Sequence, residues 1–273
     1  MADDSGTSAG QLVSALLSKV QRFLRDEQEM FGVSLLIDEL TTSKEPPRHV
    51  KNPIVGEELS LFDVPGAPAA GGSVSRRTAI TSEPWGDATS LADLDAQICT
   101  CVKCPLGHTR TKFVFGVGNP HATLMFIGEA PGADEDAQGE PFVGKAGQLL
   151  NKILEAIHFK REDVYIANLL KCRPPNNREP QAEEVELCLP YLKKQIELIQ
   201  PKVVVCLGLA AARYLLDTRE SLGKLRGRVL RYEGIPVMVT YHPAALLRNP
   251  AWKRPTWEDV QAIRKLHDQL ITA

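Results

Sequence analysis

An α/β domain whose parallel sheet is covered on both faces is the fold class this 273-residue sequence predicts. Three observations carry that prediction. Short apolar runs alternate with helical stretches from residue 123 onward. Those runs are apolar along their whole length rather than at every second position, the pattern of strands buried on two faces. The polar, Gly- and Pro-rich motifs fall directly after the runs, at the carboxyl ends of strands, where open α/β sheets bind their ligands.

Taken in chain order, residues 11–40 have helical spacing, with Leu12, Leu16, Leu17, Val20 and Leu24 on one stripe. Residues 1–40 are read as an N-terminal amphipathic helical segment, either a solvated helix or one that recruits a protein partner. Residues 41–90 are rich in Pro, Gly, Ser and Ala. Such a composition buries too little apolar surface to fold, so a disordered linker is expected there. Order resumes at Ser90, which can cap a helix with Asp93 three residues on. Strands are expected at 123–127, 164–167, 203–207, 229–232 and 237–240. Helices are expected at 144–157, 182–199, 210–216 and 257–270. The globular domain is placed at 91–273.

The net charge of -2 conceals an asymmetry. Residues 1–90 hold 8 basic against 13 acidic side chains, whereas 91–273 hold 24 against 21. A mildly basic domain is compatible with phosphate binding without requiring it. Acids stand at the N-terminus where a signal peptide carries positive charge, and no apolar run approaches the ~18 residues of a membrane span. A cytoplasmic protein without a membrane segment is expected.

Six cysteines in a chain of this length do not read as a secreted disulfide framework. Cys101 and Cys104 are separated by two residues and can grip a metal centre from one turn. Cys172 follows the second expected strand, and Cys188 lies on the next helix. Four such thiolates suit an iron–sulfur cluster or zinc, and spacing alone leaves both open, although the second pair is too far apart for a zinc ribbon. Cys206 falls inside a strand and reads as a buried, inert thiol, whereas Cys99 is an additional thiol able to replace Cys101 as a ligand.

Four polar features follow the strands. Gly128-Glu129-Ala130-Pro131-Gly132 forms a rigid loop whose backbone can approach a ligand closely. Phe142, between Pro141 and Val143-Gly144, is a stacking surface or plain core. Asn168 offers both a donor and an acceptor, as recognition of an amide-like ring edge requires. The run 242–249, His-Pro-Ala-Ala-Leu-Leu-Arg-Asn, joins an imidazole, an exposed Leu pair and Arg248 in one loop. That mixture suits nucleic acid, with Arg to phosphate and Leu as a wedge.

This ordered set closely resembles the family 4 uracil-DNA glycosylases, which carry an iron–sulfur cluster. The matching segments are the Cys101/Cys104 pair, 128–132, 141–150, 168–180 and 242–249, and the resemblance spans about residues 95–270. It implies a three-layer α/β/α fold with a central, mainly parallel four-stranded sheet. It implies a [4Fe–4S] cluster on Cys101, Cys104, Cys172 and Cys188, held as a structural staple. Glu129 and the Ala130 backbone resemble the floor of a uracil pocket, Phe142 the ring that stacks on uracil, and Asn168 the reader of its N3 and O4 edge. His242 resembles the histidine that reaches O2, Leu246 the residue that enters the duplex, and Arg248 a DNA contact. Glu135 is assigned to the space near uracil C5. The implied activity is hydrolysis of uracil from single- or double-stranded DNA by a monomer, leaving an abasic site.

Rival readings fare worse. The segment 171–178 carries neither the basic insertion nor the His of relatives trapped covalently on uracil DNA. The intact set Glu129, Phe142, Asn168 and His242 disfavours a non-catalytic iron–sulfur module. An unrelated nucleotide-binding enzyme would need a Gly-x-Gly-x-x-Gly turn or a P-loop, and neither follows the first strand.

Overall fold

The computed structural model describes residues 83–272. The expected N-terminal helix and the linker up to residue 82 lie outside the described residues. The described part begins before the boundary expected at 91, because Pro84–Asp87 forms a 3-10 turn that buries Trp85.

The strands are β1 (Val117–Gly118), β2 (Leu124–Gly128), β3 (Tyr165–Asn168), β4 (Val203–Leu207), β5 (Leu230–Tyr232) and β6 (Ile235–Thr240). The helices are α1 (Leu91–Ile98), α2 (Leu106–Thr109), α3 (Ala133–Gln138), α4 (Lys145–Ala156) and α5 (Ala182–Ile199), followed by α6 (Leu209–Leu216), α7 (Leu222–Leu225), α8 (Pro243–Arg248) and α9 (Lys253–Thr272). The sheet order is β1-β3-β2-β4-β6-β5. The expected four-stranded sheet is therefore corrected to a six-stranded mixed one. Its inner strands β3, β2, β4 and β6 run parallel, while β1 and β5 pair antiparallel at the two edges.

The inner strands are the fully apolar runs, and every residue of β2, β3 and β4 is buried. The β5 edge was expected at 229–232, whereas the β1 edge escaped because its signal is short. β1 has two residues, one of them Gly. The second edge is a hairpin closed by Glu233 (φ 48°) and Gly234 (φ 89°), a two-residue turn with both residues left-handed, as hairpin geometry prefers.

The pleat sorts the core. Met125, Ile127, Tyr165, Ala167, Val204, Cys206, Val237 and Val239 face Leu192, Ile196 and Ile199 of α5 and Ala211, Ala212 and Leu215 of α6. Thr240 is one residue out of phase with Val239, so it points to the opposite face. There its hydroxyl donates to Asp259 of α9 at 2.6 Å, which puts α9 on the second face. A separate cluster joins Trp85, Leu94, Ile98, Leu106, Leu170, Val185 and Tyr191. Ser90 caps α1 as expected, its hydroxyl accepting from the Asp93 amide at 3.1 Å. Among the described residues no helix is long and apolar enough to cross a membrane.

Candidate functional site

The carboxyl ends of β2, β3 and β6 open into a cleft of about 420 Å³. Glu129, Ala130, Phe142, Asn168, His242 and Arg248 all line it, so six of the residues singled out in the sequence meet in one place. Glu135, Arg178 and Glu179 join them.

Close packing at the sheet end sets the geometry. Gly128 and Asn168 are register partners on β2 and β3. A Cβ on Gly128 would stand 2.3 Å from Asn168 Oδ1 and 2.7 Å from the Phe142 ring. Only glycine therefore lets these two side chains converge. Asn168 is buried, and its Oδ1 has no hydrogen-bond partner within the protein. An orphaned buried acceptor is destabilising, so this oxygen is suited to a donor supplied by a ligand.

Phe142 is held by backbone constraint as well as packing. It sits at φ 55°, a left-handed conformation unusual for an aromatic residue. Gly147 of α4 approaches its carbonyl so closely that a Cβ there would lie 1.9 Å from the oxygen. The Phe142 and His242 rings are 5.4 Å apart and inclined at 32°.

Glu135 does something the sequence did not indicate. Its Oε2 accepts from the Gly132 amide at 3.1 Å, and its Oε1 accepts from Val143 at 2.9 Å and Gly144 at 3.0 Å. Three backbone donors pin this carboxylate, which ties the loop after β2 to the loop carrying Phe142. The side chain lines the cleft and clamps two loops together.

His242 caps α8. Its Nδ1 accepts from the Ala244 amide at 3.1 Å. Burial, aided by the nearby Arg248, pushes its pKa down to about 4, with Glu135 opposing the shift. The ring is therefore neutral at pH 7. Because Nδ1 is an acceptor, the proton resides on Nε2. Gly208, at φ 94° after β4, leaves room for His242, since a Cβ would stand 3.2 Å from the His242 Cβ. Glu129 is raised above the usual carboxylate range, first by burial and then by Glu179.

Leu246 is not where a duplex wedge must be. It is 2% exposed, whereas its neighbour Leu247 is 48% exposed. The two side chains project about 100° apart round α8. The Leu246 face turns inward where α8 packs on α4, and Leu247 faces solvent. Reading 242–249 as a loop hid this difference, because both leucines then seem equivalent.

The four expected ligands also converge. Cys172 and Cys188 are buried in the cluster around Tyr191, and Cys101 and Cys104 pack against it. Donors surround the sulfurs. Arg110 donates to Cys172 Sγ at 3.3 Å, the Tyr191 hydroxyl to Cys101 Sγ at 3.2 Å and the Lys171 amide to Cys188 Sγ at 3.3 Å. No sequence periodicity marked Arg110, Tyr191 or the Lys171 amide for this purpose. Burial pushes the Cys188 thiol up to about 12, so deprotonating it requires a compensating cation. Cys99 turns away, its Sγ meeting the Ala96 carbonyl, and Cys206 is sealed in the sheet core. Among the described residues, no three His, Cys, Asp or Glu side chains gather tightly enough to hold one metal ion.

The model of the "Uracil DNA glycosylase superfamily" matches residues 115–265. A type-4 uracil-DNA glycosylase of Archaeoglobus fulgidus is 46% identical over 185 residues, covering 65% of this chain and 93% of that protein. One of Thermotoga maritima is 45% identical over 165 residues, covering 59% and 86%. A type-5 uracil-DNA glycosylase of Pyrobaculum aerophilum is 34% identical over 146 residues, covering 47% and 64%.

Proposed function

Because the chain belongs to the uracil DNA glycosylase superfamily and shares 46% and 45% identity with two type-4 members, we propose that it excises uracil from DNA in repair of deaminated cytosine. The observation that carries this reading is the unpartnered Asn168 oxygen beside Phe142 and His242 in one cleft. Uracil N3–H is the donor that oxygen lacks. The Asn168 amide group offers O4 a hydrogen bond in the same plane. The Phe142 ring supplies a stacking face.

A stacked base cannot enter this cleft, so the nucleotide swings out of a duplex or arrives on a single strand. The C1′–N1 bond lengthens, positive charge grows on the sugar, and negative charge spreads onto the uracil ring. The neutral His242 donates from Nε2 toward O2, and the Ala130 backbone lies on the same rim, the logic of a preorganised oxyanion site. Water adds to C1′, and the departing uracil takes up the proton. Arg248 engages phosphate. Leu247, rather than Leu246, is exposed to replace the base in the stack.

Glu129 is the remaining polar candidate for activating the water. Burial, then Glu179, raises its carboxyl above the usual range, but preorganised electrostatics is usually the larger contribution in such a site. Glu129→Gln is therefore expected to keep single-turnover excision within ~3-fold of the parent, with electrostatics as the larger contribution. A loss of about 10²-fold or more would instead assign the base to Glu129.

The His242 geometry gives a pH signature. A free imidazole titrates near 6.5, and the buried ring near 4. The unfolded chain thus binds the extra proton between those values, and the associated stability is present above pH 6.5 and lost as pH falls toward 4. In the Glu129→Gln background, single-turnover rates should stay flat from pH 8 down to about 5 and fall only below that. A limb near pH 6.5 would mean that the cationic ring had been titrated in an exposed setting.

The thiol set fits a [4Fe–4S] cluster. Four sulfurs from three chain segments converge, with hydrogen-bond donors directed at three of them. One zinc ion needs a tight tetrahedron, whereas a cluster takes each thiolate on a separate iron. When bound, the cluster supplies a cross-link between the segment around α1 and α2, the end of β3 and helix α5. Hydrolysis of the glycosidic bond is balanced without an electron.

The activity test uses uracil-containing oligonucleotides, single- and double-stranded, incubated with the protein and then heated in alkali. Strand breakage at the uracil is expected. Intact strands under both conditions would overturn the reading, and a stable protein–DNA adduct would replace hydrolysis with trapping.

A further inference from the structure

Beside the cleft lies an aromatic stack that the excision chemistry does not use. Tyr241 and Trp252 are stacked with centroids 4.9 Å apart and planes inclined by 10°. The Arg226 guanidinium lies 4.4 Å from the Tyr241 centroid. Two planar groups approach one ring this closely only from opposite faces, so the order is Arg226, Tyr241, Trp252. Arg226 is itself fixed, donating to Asp259 at 2.7 Å and to the Pro255 carbonyl at 2.7 Å. The Trp252 carbonyl accepts from the Thr256 hydroxyl at 2.8 Å, which anchors the turn at Pro250–Trp252 to α9.

The stack ends in the open. Trp252 is 38% exposed, and Tyr241 covers one of its faces. Neither Trp85 nor Trp257 is comparable, since both are buried. Leaving a large aromatic face in water while bracing it from behind is unfavourable for stability alone. A rigid, presented π-face is what a base-stacking site requires.

Its position selects the occupant. Tyr241 directly precedes His242, and α8, which brings Arg248 to the cleft, packs on the Pro250–Trp252 turn. Arg254 stands two residues beyond Trp252, is largely exposed, and makes only a loose 3.9 Å pair with Glu258. An exposed aromatic face flanked in the chain by Arg248 and Arg254, on a turn that packs against the helix carrying cleft-lining Arg248, matches bases that alternate with phosphates.

We propose that Trp252 is a stacking platform for the base of a nucleotide flanking the extruded uracil, engaged in single-stranded DNA. This rests on the excision reading above. A flanking base in a duplex already has neighbours on both faces, whereas one on a single strand gains a partner here. Stacking accepts any base, so the platform adds affinity without sequence preference.

Two measurements test it. The first titrates the intact protein with a uracil-free oligothymidylate of about 12 nucleotides, a length within known single-strand site sizes, while following tryptophan fluorescence. Quenching is expected in the parent and absent in Trp252→Phe. The second compares KM for uracil in single strands. Trp252→Ala should raise it ~10-fold, with the loss falling in KM and a smaller effect on duplex substrate, and Trp252→Phe should recover most of the affinity. No quenching, an unchanged KM in Trp252→Ala, or equal losses in Ala and Phe variants would each overturn the proposal. Should uracil excision itself be absent, the uracil-free titration still decides whether the platform binds bases.

Discussion

Asn168→Leu is expected to lower kcat/KM for uracil excision by about 10³-fold or more while leaving the melting temperature unchanged or raised. The two halves of that result have one cause. Asn168 Oδ1 is buried and has no partner in the protein. Removing an unsatisfied buried acceptor and replacing it with an apolar group of similar shape does not destabilise. For the substrate the balance is reversed. Uracil N3–H and O4 require an acceptor and a donor respectively, and leucine leaves both unpaired. Sites built on such hydrogen bonds discriminate by ~10⁴ against partners that lack them. Differential scanning together with single-turnover excision on one preparation checks both halves. A melting temperature lowered by more than about 5 °C would mean that the amide is needed for folding, and the pocket argument would fail.

Asn168 also shows what could be read before the structure was known. Its residue type and its place at a strand end pointed to recognition of a pyrimidine edge. Nothing in the sequence could show that its oxygen is orphaned, because that depends on Gly128 lacking a Cβ on the neighbouring strand. The inner strands were legible for a related reason: strands buried on both faces are apolar at every position. The edge β1 was not, since a two-residue strand has no period; β5 was expected at 229–232, but its antiparallel place at the sheet edge is set by pairing with β6 and not by its own residues.

Helical phase accounts for the error at Leu246. Two adjacent leucines in a segment read as a loop are interchangeable, but on α8 one turns into the protein and the other away from it. The clamp made by Glu135 was hidden for a different reason. An acid in the run Asp134-Glu135-Asp136 looks solvated, and its three backbone donors come from loops whose approach only the tertiary fold dictates. The cleft residues lie at conspicuous strand ends, whereas the groups that hold them in place are scattered and polar, and the sequence marks them weakly.

The cluster ligands carry the other large expected effect. Cys188→Ala should abolish bound iron and visible absorption and lower the melting temperature by about 10 °C, the shift produced in a domain this size by a loss of ~4 kcal/mol. A bare alanine would leave the other three thiols without their cation and would unfasten α5 from the end of β3. Activity should fall with it, through structure rather than redox chemistry. The Lys171 amide meets Cys188 Sγ, the Leu170 amide donates to the Glu129 carbonyl at 3.1 Å, and the Lys171 ammonium donates to the Asn168 carbonyl at 2.9 Å. Two consecutive residues, Leu170 and Lys171, thus connect the sulfur site to the floor and the reading edge of the cleft. Lys171 is fully buried, which depresses its pKa to about 8, with Cys188, Asp95 and Cys172 opposing the shift. Cys99→Ala supplies the contrast, because its thiol faces the Ala96 carbonyl and should leave iron, melting and excision close to the parent. Iron and acid-labile sulfide per chain decide the ligand set. A Cys188→Ala protein with full iron content would remove Cys188 from it, and a Cys99→Ala protein that lost its iron would put Cys99 in its place.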